Sequence, residues 1–375
     1  MTSPLTRRSL LAAAAAAWAA PSPSSAAASA LAPRQADGID WYDVTQWGVE
    51  GKGWDDTARY FDRLPARAEK TVRKAVWDLS RHSAGMLVRF ETDAPAIHCR
   101  YDLYLDRIAM PHMPATGVSG IDLYARDRTG RDRWLGVSKP TEKHVMAALA
   151  DPIDKPVHGT RLYTAYLPLY NGVDALEIGV PSGSAFQPVA PRKKGAILFY
   201  GTSIMHGACA SRPGMSISGI VGRRLDRPVL NLGFSGNGQL EMEVAEFLAE
   251  LDPAVYAIDC LPNLQGEQVA ERTEPLVRRL REARPKTPIL LVEDRTYAYA
   301  WLRESARKRH EGSRAAFHKA YQNLLQAGVK GLAYLPGDGL LGQDDEAATD
   351  GSHPNDLGMT RYADAYVKAL NPLLG

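Results

Sequence analysis

The sequence predicts two folds in tandem: an all-β sandwich of jelly-roll type, then an α/β domain built on a parallel sheet. Three observations carry that prediction. Between residues 38 and 189, short runs of alternating apolar and polar residues are separated by Gly, Pro and Asp. That is the pattern of strands buried on one face. From residue 194 onward, wholly apolar runs of four or five residues alternate with longer amphipathic stretches, as in a parallel sheet covered on both faces. A proline- and charge-rich stretch, PVAPRKK at 188–194, divides the two regions.

A chain of 375 residues is long enough for two such domains. Its composition, 45% hydrophobic and 23% charged, is that of an ordinary globular protein. A net charge of +2 gives no argument for nucleic acid or for an anionic membrane surface. Cys99, Cys209 and Cys260 are too few for a disulfide framework, so three buried thiols are expected, with a single pair as the alternative.

Taken in order, residues 1–30 read as an export segment. Arg7 and Arg8 precede an alanine-rich apolar run at 12–20, and A-x-A-like sites follow around 26–30. This predicts twin-arginine export to a periplasm or the exterior, with no stable membrane association once the segment is removed. A membrane anchor is the alternative, although the apolar run is short.

The sandwich is placed at 38–190. Strands are expected at 75–79, 86–90, 96–101, 120–124, 161–167 and 175–180, with one helical turn near 55–64. The α/β domain is placed at 194–375. Its strands are expected at 196–200, 228–232, 254–258, 288–292 and 331–335. Helices between and after them fall at 213–225, 240–251, 268–283, 314–327 and 355–370. Asp252-Pro253 ends the second helix and Gly328 stops the fourth.

The chemistry-bearing residues gather where the strands of the second domain end, the edge at which open α/β sheets bind ligands. The first strand runs into Gly201-Thr202-Ser203-Ile204, which holds a serine hydroxyl on a rigid element. Serine needs a base and an oxyanion hole to act as a nucleophile. The loop 231–238, Asn-Leu-Gly-Phe-Ser-Gly-Asn-Gly, is rich in glycines that let backbone N–H groups approach an oxyanion. The third strand end carries Asn263, whose amide can donate as well. Asp350 and His353 lie three apart before the last helix. There the histidine can take a serine proton and the aspartate can orient the imidazole. The chain order Ser, Asp, His suits an α/β sheet, but a Gly-x-Ser-x-Gly elbow is absent. No His/Cys/Asp cluster has metal-ligand spacing, so neither metal nor cofactor is expected.

These blocks resemble the SGNH (GDSL-like) hydrolase superfamily, whose catalytic domain is flavodoxin-like, over nearly all of 194–375. The resemblance implies Ser203 as nucleophile and Asp350 and His353 as its triad partners. It also implies an oxyanion hole from the Ser203 and Gly236 backbone N–H groups and the Asn263 side chain. Two blocks depart from the family pattern. Gly-Asp-Ser-Leu is Gly-Thr-Ser-Ile here, and the third block reads Leu261-Pro262-Asn263-Leu264 without its usual glycine and second acid. Upstream, Gly120-Ile121-Asp122-Leu123-Tyr124 matches the Gly-x-Asp-Leu-Tyr signature of the β-sandwich that precedes one SGNH subgroup, and MPHMPATG at 110–117 is similar to that subgroup too. That likeness implies a carbohydrate-directed esterase, often a deacetylase.

The expected activity is therefore hydrolysis of short-chain esters, O-acetyl groups on carbohydrates first. A lipase, thioesterase or acyltransferase with the same triad is one alternative. A non-catalytic glycan-binding protein is another. His206, Arg295 and His112 are candidate substrate contacts, weighed respectively against a pocket wall, a salt bridge and a packed interdomain contact. The basic run at 303–310 reads as a solvated face. Which glycan is used, and the oligomeric state, are not written in the sequence.

Overall fold

The first ten strands form two antiparallel sheets. In the computed structural model these are Arg34–Ala36 (β1), Ile39–Asp43 (β2), Leu87–Thr92 (β3), Ile97–Leu103 (β4), Asp122–Arg126 (β5), Asp132–Val137 (β6), His144–Ala150 (β7), Arg161–Tyr166 (β8), Val173–Pro181 (β9) and Phe186–Val189 (β10). The structure describes residues 31–154, 156 and 159–375. The export segment expected at 1–30 lies outside the described residues. One sheet has the order β1-β2-β9-β4-β7 and the other β10-β3-β8-β5-β6. Consecutive strands cross repeatedly from sheet to sheet, as in β3 to β4 and β7 through β10. The alternation read from the sequence is the alternation of faces: along β4, Ile97, Cys99, Tyr101 and Leu103 are buried and the residues between them are not.

The third sheet is parallel. Its strands are Ile197–Gly201 (β11), Val229–Gly233 (β12), Val255–Asp259 (β13), Ile289–Val292 (β14) and Leu332–Leu335 (β15), in the order β12-β11-β13-β14-β15. That is the doubly wound 2-1-3-4-5 order. Every residue of β11, β13 and β14 is buried, because helices cover both faces. Ile197 and Phe199 face the layer holding helices Ile217–Leu225 and Asp356–Leu370. Leu198 and Tyr200 face the layer holding helices Met242–Glu250, Gly266–Ala283 and Glu304–Gln326.

Residues Pro33–Gly375 form one compact unit, and its apolar core runs across the hinge at 188–194. Trp54, Leu64, Val72, Val76 and Trp77 pack with Phe247, Leu248 and Leu251 on one side of the parallel sheet. Met113, Val118, Leu169 and Tyr170 pack with Ile204 and Met205 on the other.

Three local expectations change: the helical turn expected near 55–64 forms instead at Ala66–Lys70, after Pro65. Residues 75–79 are not a strand but part of the helix Lys74–Ser80. Its buried residues, Val76, Trp77 and Ser80, repeat at helical spacing, so the apparent alternation was coincidental. The helix expected at 314–327 begins at Glu304, and the basic run 303–310 is its first two turns. Strands β1, β2, β6, β7 and β10 lay outside the runs read as strands. All three cysteines are buried and free. Burial pushes the Cys209 thiol up to about 11, which keeps it protonated and inert.

Candidate active site

β11 ends at Gly201 and Thr202, and Ser203 opens a single helical turn, Ser203–His206. The Thr202 hydroxyl accepts the Ile204 N–H at 3.4 Å. Gly207 closes the turn in the left-handed region, φ 109°. Ser203 is nearly buried, at 6% exposure. The neighbouring strand end presses against this turn: a side chain at Gly233 would collide with the backbone of His206.

The Ser203 Oγ lies 2.8 Å from His353 Nε2. His353 Nδ1 lies 2.8 Å from Asp350 Oδ2. With the proton on Nδ1 donated to the carboxylate, Nε2 is left to accept from the serine hydroxyl. The 350–353 turn is wound around that carboxylate. Asp350 Oδ1 accepts the His353 N–H at 2.8 Å and the Ser352 N–H at 3.0 Å. Burial by itself would raise the Asp350 pKa, but these hydrogen bonds and the imidazole hold it below the ordinary carboxylate value. The His353 and Asp350 side chains keep 27% and 44% exposure, so both partners of Ser203 in the relay are open to water.

The loops expected to supply the oxyanion hole converge on the same strand end. Phe234 donates its N–H to the Gly201 carbonyl at 2.9 Å. Gly236 is exposed at the loop tip in the left-handed region, φ 68°, with no described residue within 4 Å of the place a side chain would occupy. The Asn263 amide donates to the Asn237 carbonyl at 2.6 Å, which ties the third strand's loop to the second.

The three expected substrate contacts fare differently. His206 is fully buried, stacked on Tyr170 at 4.3 Å between centroids and facing the His82 ring. Burial and the neighbouring Arg63 hold its pKa well below the usual value, so it is a neutral core histidine and not a substrate contact. Arg295 is also buried, at 2% exposure. It bonds Asp294 and Ser352, which corrects the substrate reading to a structural ion pair under the 350–353 turn. Chain neighbours had placed both residues near the pocket, but their side chains point into the core. His112 sits on an exposed turn of the sandwich, its ring 6.3 Å from that of His353.

Residues the sequence did not single out complete the surroundings. Tyr170 donates its hydroxyl to the Ser203 carbonyl at 3.3 Å. Arg63 reaches the carbonyls of Asn231 and Gly233. Both come from the sandwich region, and no local motif marks them. Across from the 350–353 turn, Ala298 N–H donates to the Gly351 carbonyl at 2.9 Å and the Tyr299 ring lies against Gly351. The same loop exposes Trp301 and Leu302, at 74% and 72%.

With this geometry in place, the comparisons with known proteins agree on a family. Residues 193–371 match the model of the GDSL-like lipase/acylhydrolase family. Residues 39–186 match the model of the GxDLY domain, the N-terminus of SGNH-hydrolase-type esterases. Among solved structures, a Bacteroides ovatus protein assigned as a GDSL-like lipase is similar at 32% identity and a TM-score of 0.84, over 90% of this chain and 98% of its own. The salicylyl-acyltransferase SsfX3 of a tetracycline biosynthetic pathway shares the fold at 18% identity and a TM-score of 0.68, over 90% and 98%. A family two carbohydrate esterase from Cellvibrio japonicus shares it at 11% identity and a TM-score of 0.57, with the same coverage. No curated protein matches the chain.

Proposed function

The chain belongs to the GDSL-like lipase/acylhydrolase family, in the subgroup with a GxDLY β-sandwich, and from that premise we propose a serine esterase that removes short acyl groups, O-acetyl first, from carbohydrates. The observation that carries the reading is the continuous relay from Ser203 Oγ through His353 to Asp350, with both links at 2.8 Å.

In this reading Ser203 Oγ attacks the ester carbonyl carbon while its proton passes to His353 Nε2. The carbonyl electrons move onto oxygen, and the Ser203 and Gly236 N–H groups with the Asn263 amide receive that charge. The intermediate collapses, the carbon–alkoxy bond breaks, and the leaving alcohol takes the proton from His353. Water then attacks the acyl-Ser203 ester with His353 as base and releases the acid. Asp350 stays ionised throughout, because its depressed pKa keeps it a carboxylate facing the imidazolium.

The carbohydrate assignment draws on the carbohydrate esterases that share the fold. In this reading the exposed Trp301, two residues along the chain from the Tyr299 that packs on Gly351, offers a face on which a sugar ring can stack, and His112, its ring 6.3 Å from that of His353, offers a polar edge from the other module. Export by the 1–30 segment belongs to the same proposal, since acetylated polysaccharide is met outside the cytoplasm. Among the described residues, no helix is long and apolar enough to cross a membrane.

The test is acetate release from acetylated glycans and from p-nitrophenyl acetate by the wild type and by Ser203→Ala, with fluorophosphonate labelling alongside. Release by the wild type alone supports the whole reading. Labelling without acetate release keeps the serine and rejects the acyl group. Neither turnover nor labelling rejects the esterase and leaves glycan binding to be measured.

A further inference from the structure

Arg63 belongs to the segment between β2 and β3, yet its guanidinium ends against the parallel sheet. The residue is 2% exposed. Among the described residues it has no carboxylate within ion-pair distance, since the adjacent Asp62 is taken by Arg59 and Arg81. All of its hydrogen bonds go to backbone carbonyls. Nε donates to His82 at 2.9 Å and Nη2 to Leu79 at 2.6 Å, both on its own side of the chain. Nη1 donates to Asn231 at 3.0 Å and to Gly233 at 2.8 Å, on the other. The guanidinium carbon lies 5.1 Å from the centre of the Phe234 ring.

Those two acceptors have a particular place. β12 is an edge strand of the parallel sheet. Successive residues of a strand send their backbone groups to opposite edges, so alternate residues share one. Phe234 N–H turns inward to the Gly201 carbonyl, so the Asn231 and Gly233 carbonyls turn outward, where no strand pairs with them. Arg63 occupies that edge. Immediately beyond it the chain enters the loop that carries Gly236. Asn231 also holds the nucleophile's turn, through Nδ2 to the Met205 carbonyl at 2.8 Å, and its Oδ1 accepts the Gly233 N–H at 2.9 Å. The position where the Gly236 loop leaves the sheet is thus set by one guanidinium from the sandwich side and one asparagine from the sheet.

We propose that Arg63 is a positioning residue for the oxyanion loop, so that the N-terminal region completes the active site from behind as well as flanking its mouth. The proposal rests on the esterase reading above. A surface-only role for the sandwich would need no buried cation at the catalytic sheet's edge. Lysine carries the same charge, but its single ammonium has three donors on one nitrogen and cannot span the four carbonyls that three guanidinium nitrogens reach.

The experiment compares the full chain with Arg63→Lys and Arg63→Met. Each is titrated with a small fluorophosphonate, which counts sites with a competent Ser203, and kcat and KM for p-nitrophenyl acetate are then measured per titrated site. Arg63→Lys is expected to lose about 10–100-fold in kcat, the cost of a displaced catalytic group, with KM within about twofold of wild type. Amide exchange at 234–238 is expected to quicken while β13 and β14 keep their protection. If Arg63→Met does not fold, the lysine variant and its exchange pattern decide. A lower melting temperature with kcat per titrated site unchanged overturns the proposal and leaves Arg63 as a core brace. A wild type that neither labels nor turns over overturns the esterase reading itself, and this proposal with it.

Discussion

Arg295 and Ser352 meet beneath the candidate relay: the buried guanidinium donates from Nε to the Ser352 carbonyl at 3.0 Å and from Nη2 to the Ser352 hydroxyl. Ser352 stands between Asp350 and His353, so a cation in the core grips the middle of the turn that presents both. Burial alone would lower the guanidinium pKa, but the adjoining Asp294 carboxylate more than offsets it and keeps the charge in place.

Removing that grip is expected to affect stability and rate separately. Arg295→Met leaves Asp294 buried without its partner, and breaking such a pair costs about 3–5 kcal/mol. A large fall in melting temperature should follow. Arg295→Lys keeps the charge but cannot hold Asp294 and both Ser352 atoms at once. Its kcat on p-nitrophenyl acetate should drop roughly tenfold with KM little changed. Steady-state kinetics beside a thermal melt check both outcomes.

Asn263→Ala tests the oxyanion assignment. Loss of one donor from such a hole costs roughly 10²–10³ in turnover. The amide also bonds the Asn237 carbonyl, so its removal should loosen the Gly236 loop too. Unchanged kcat in the alanine variant would remove Asn263 from the site.

Asp259 gives a prediction in pH. It closes β13, fully buried, with the Tyr366 hydroxyl on Oδ2 at 2.7 Å and, among the described residues, no partner for Oδ1. Burial pushes its carboxyl up to about 7. A folded-state value above the unfolded one means that the folded chain binds the extra proton. Stability from this group is therefore full below about pH 4 and is lost as pH rises toward 7. Asp259→Asn mimics the protonated form. Relative to wild type, it should gain on the order of a few kcal/mol on going from pH 4 to pH 7. Urea unfolding of both proteins at the two pH values measures the difference, and parallel pH curves would refute the assignment.

Trp301→Ala tests the proposed glycan surface. The side chain is exposed, so folding should be unaffected. An aromatic stacking contact is worth about 0.5–1.5 kcal/mol, or roughly a 2–10-fold rise in KM for acetylated oligosaccharide. The same variant should be unchanged on p-nitrophenyl acetate, which has no sugar to stack. An equal loss on both substrates would place Trp301 in the fold and not in the glycan site.

Much of the architecture was legible because it is written in short-range periodicity. Buried strands such as β11 and β13 announce themselves as unbroken apolar runs, and β4 by its alternation. The spacing of Asp350 and His353 likewise encodes a local fact, a four-residue turn folded round one carboxylate. Residues 75–79 misled because five residues carry too little periodicity to separate alternation from helical spacing. His206 and Arg295 misled differently. Proximity in sequence to Ser203 and to a strand end says nothing about which way a side chain points.

By itself, then, the sequence determined the classes of sheet, their order along the chain, and the residue types gathered at the strand ends. Those follow from burial patterns and turn chemistry within a few residues. Only the tertiary structure decided that Ser203 meets His353 at 2.8 Å, that Arg295 braces Ser352, and that Arg63 caps the edge at Asn231 and Gly233. Each joins residues far apart in the chain. The two arginine contacts are selected by the cost of leaving a buried donor or acceptor unmatched, which exists only once the sheets have packed.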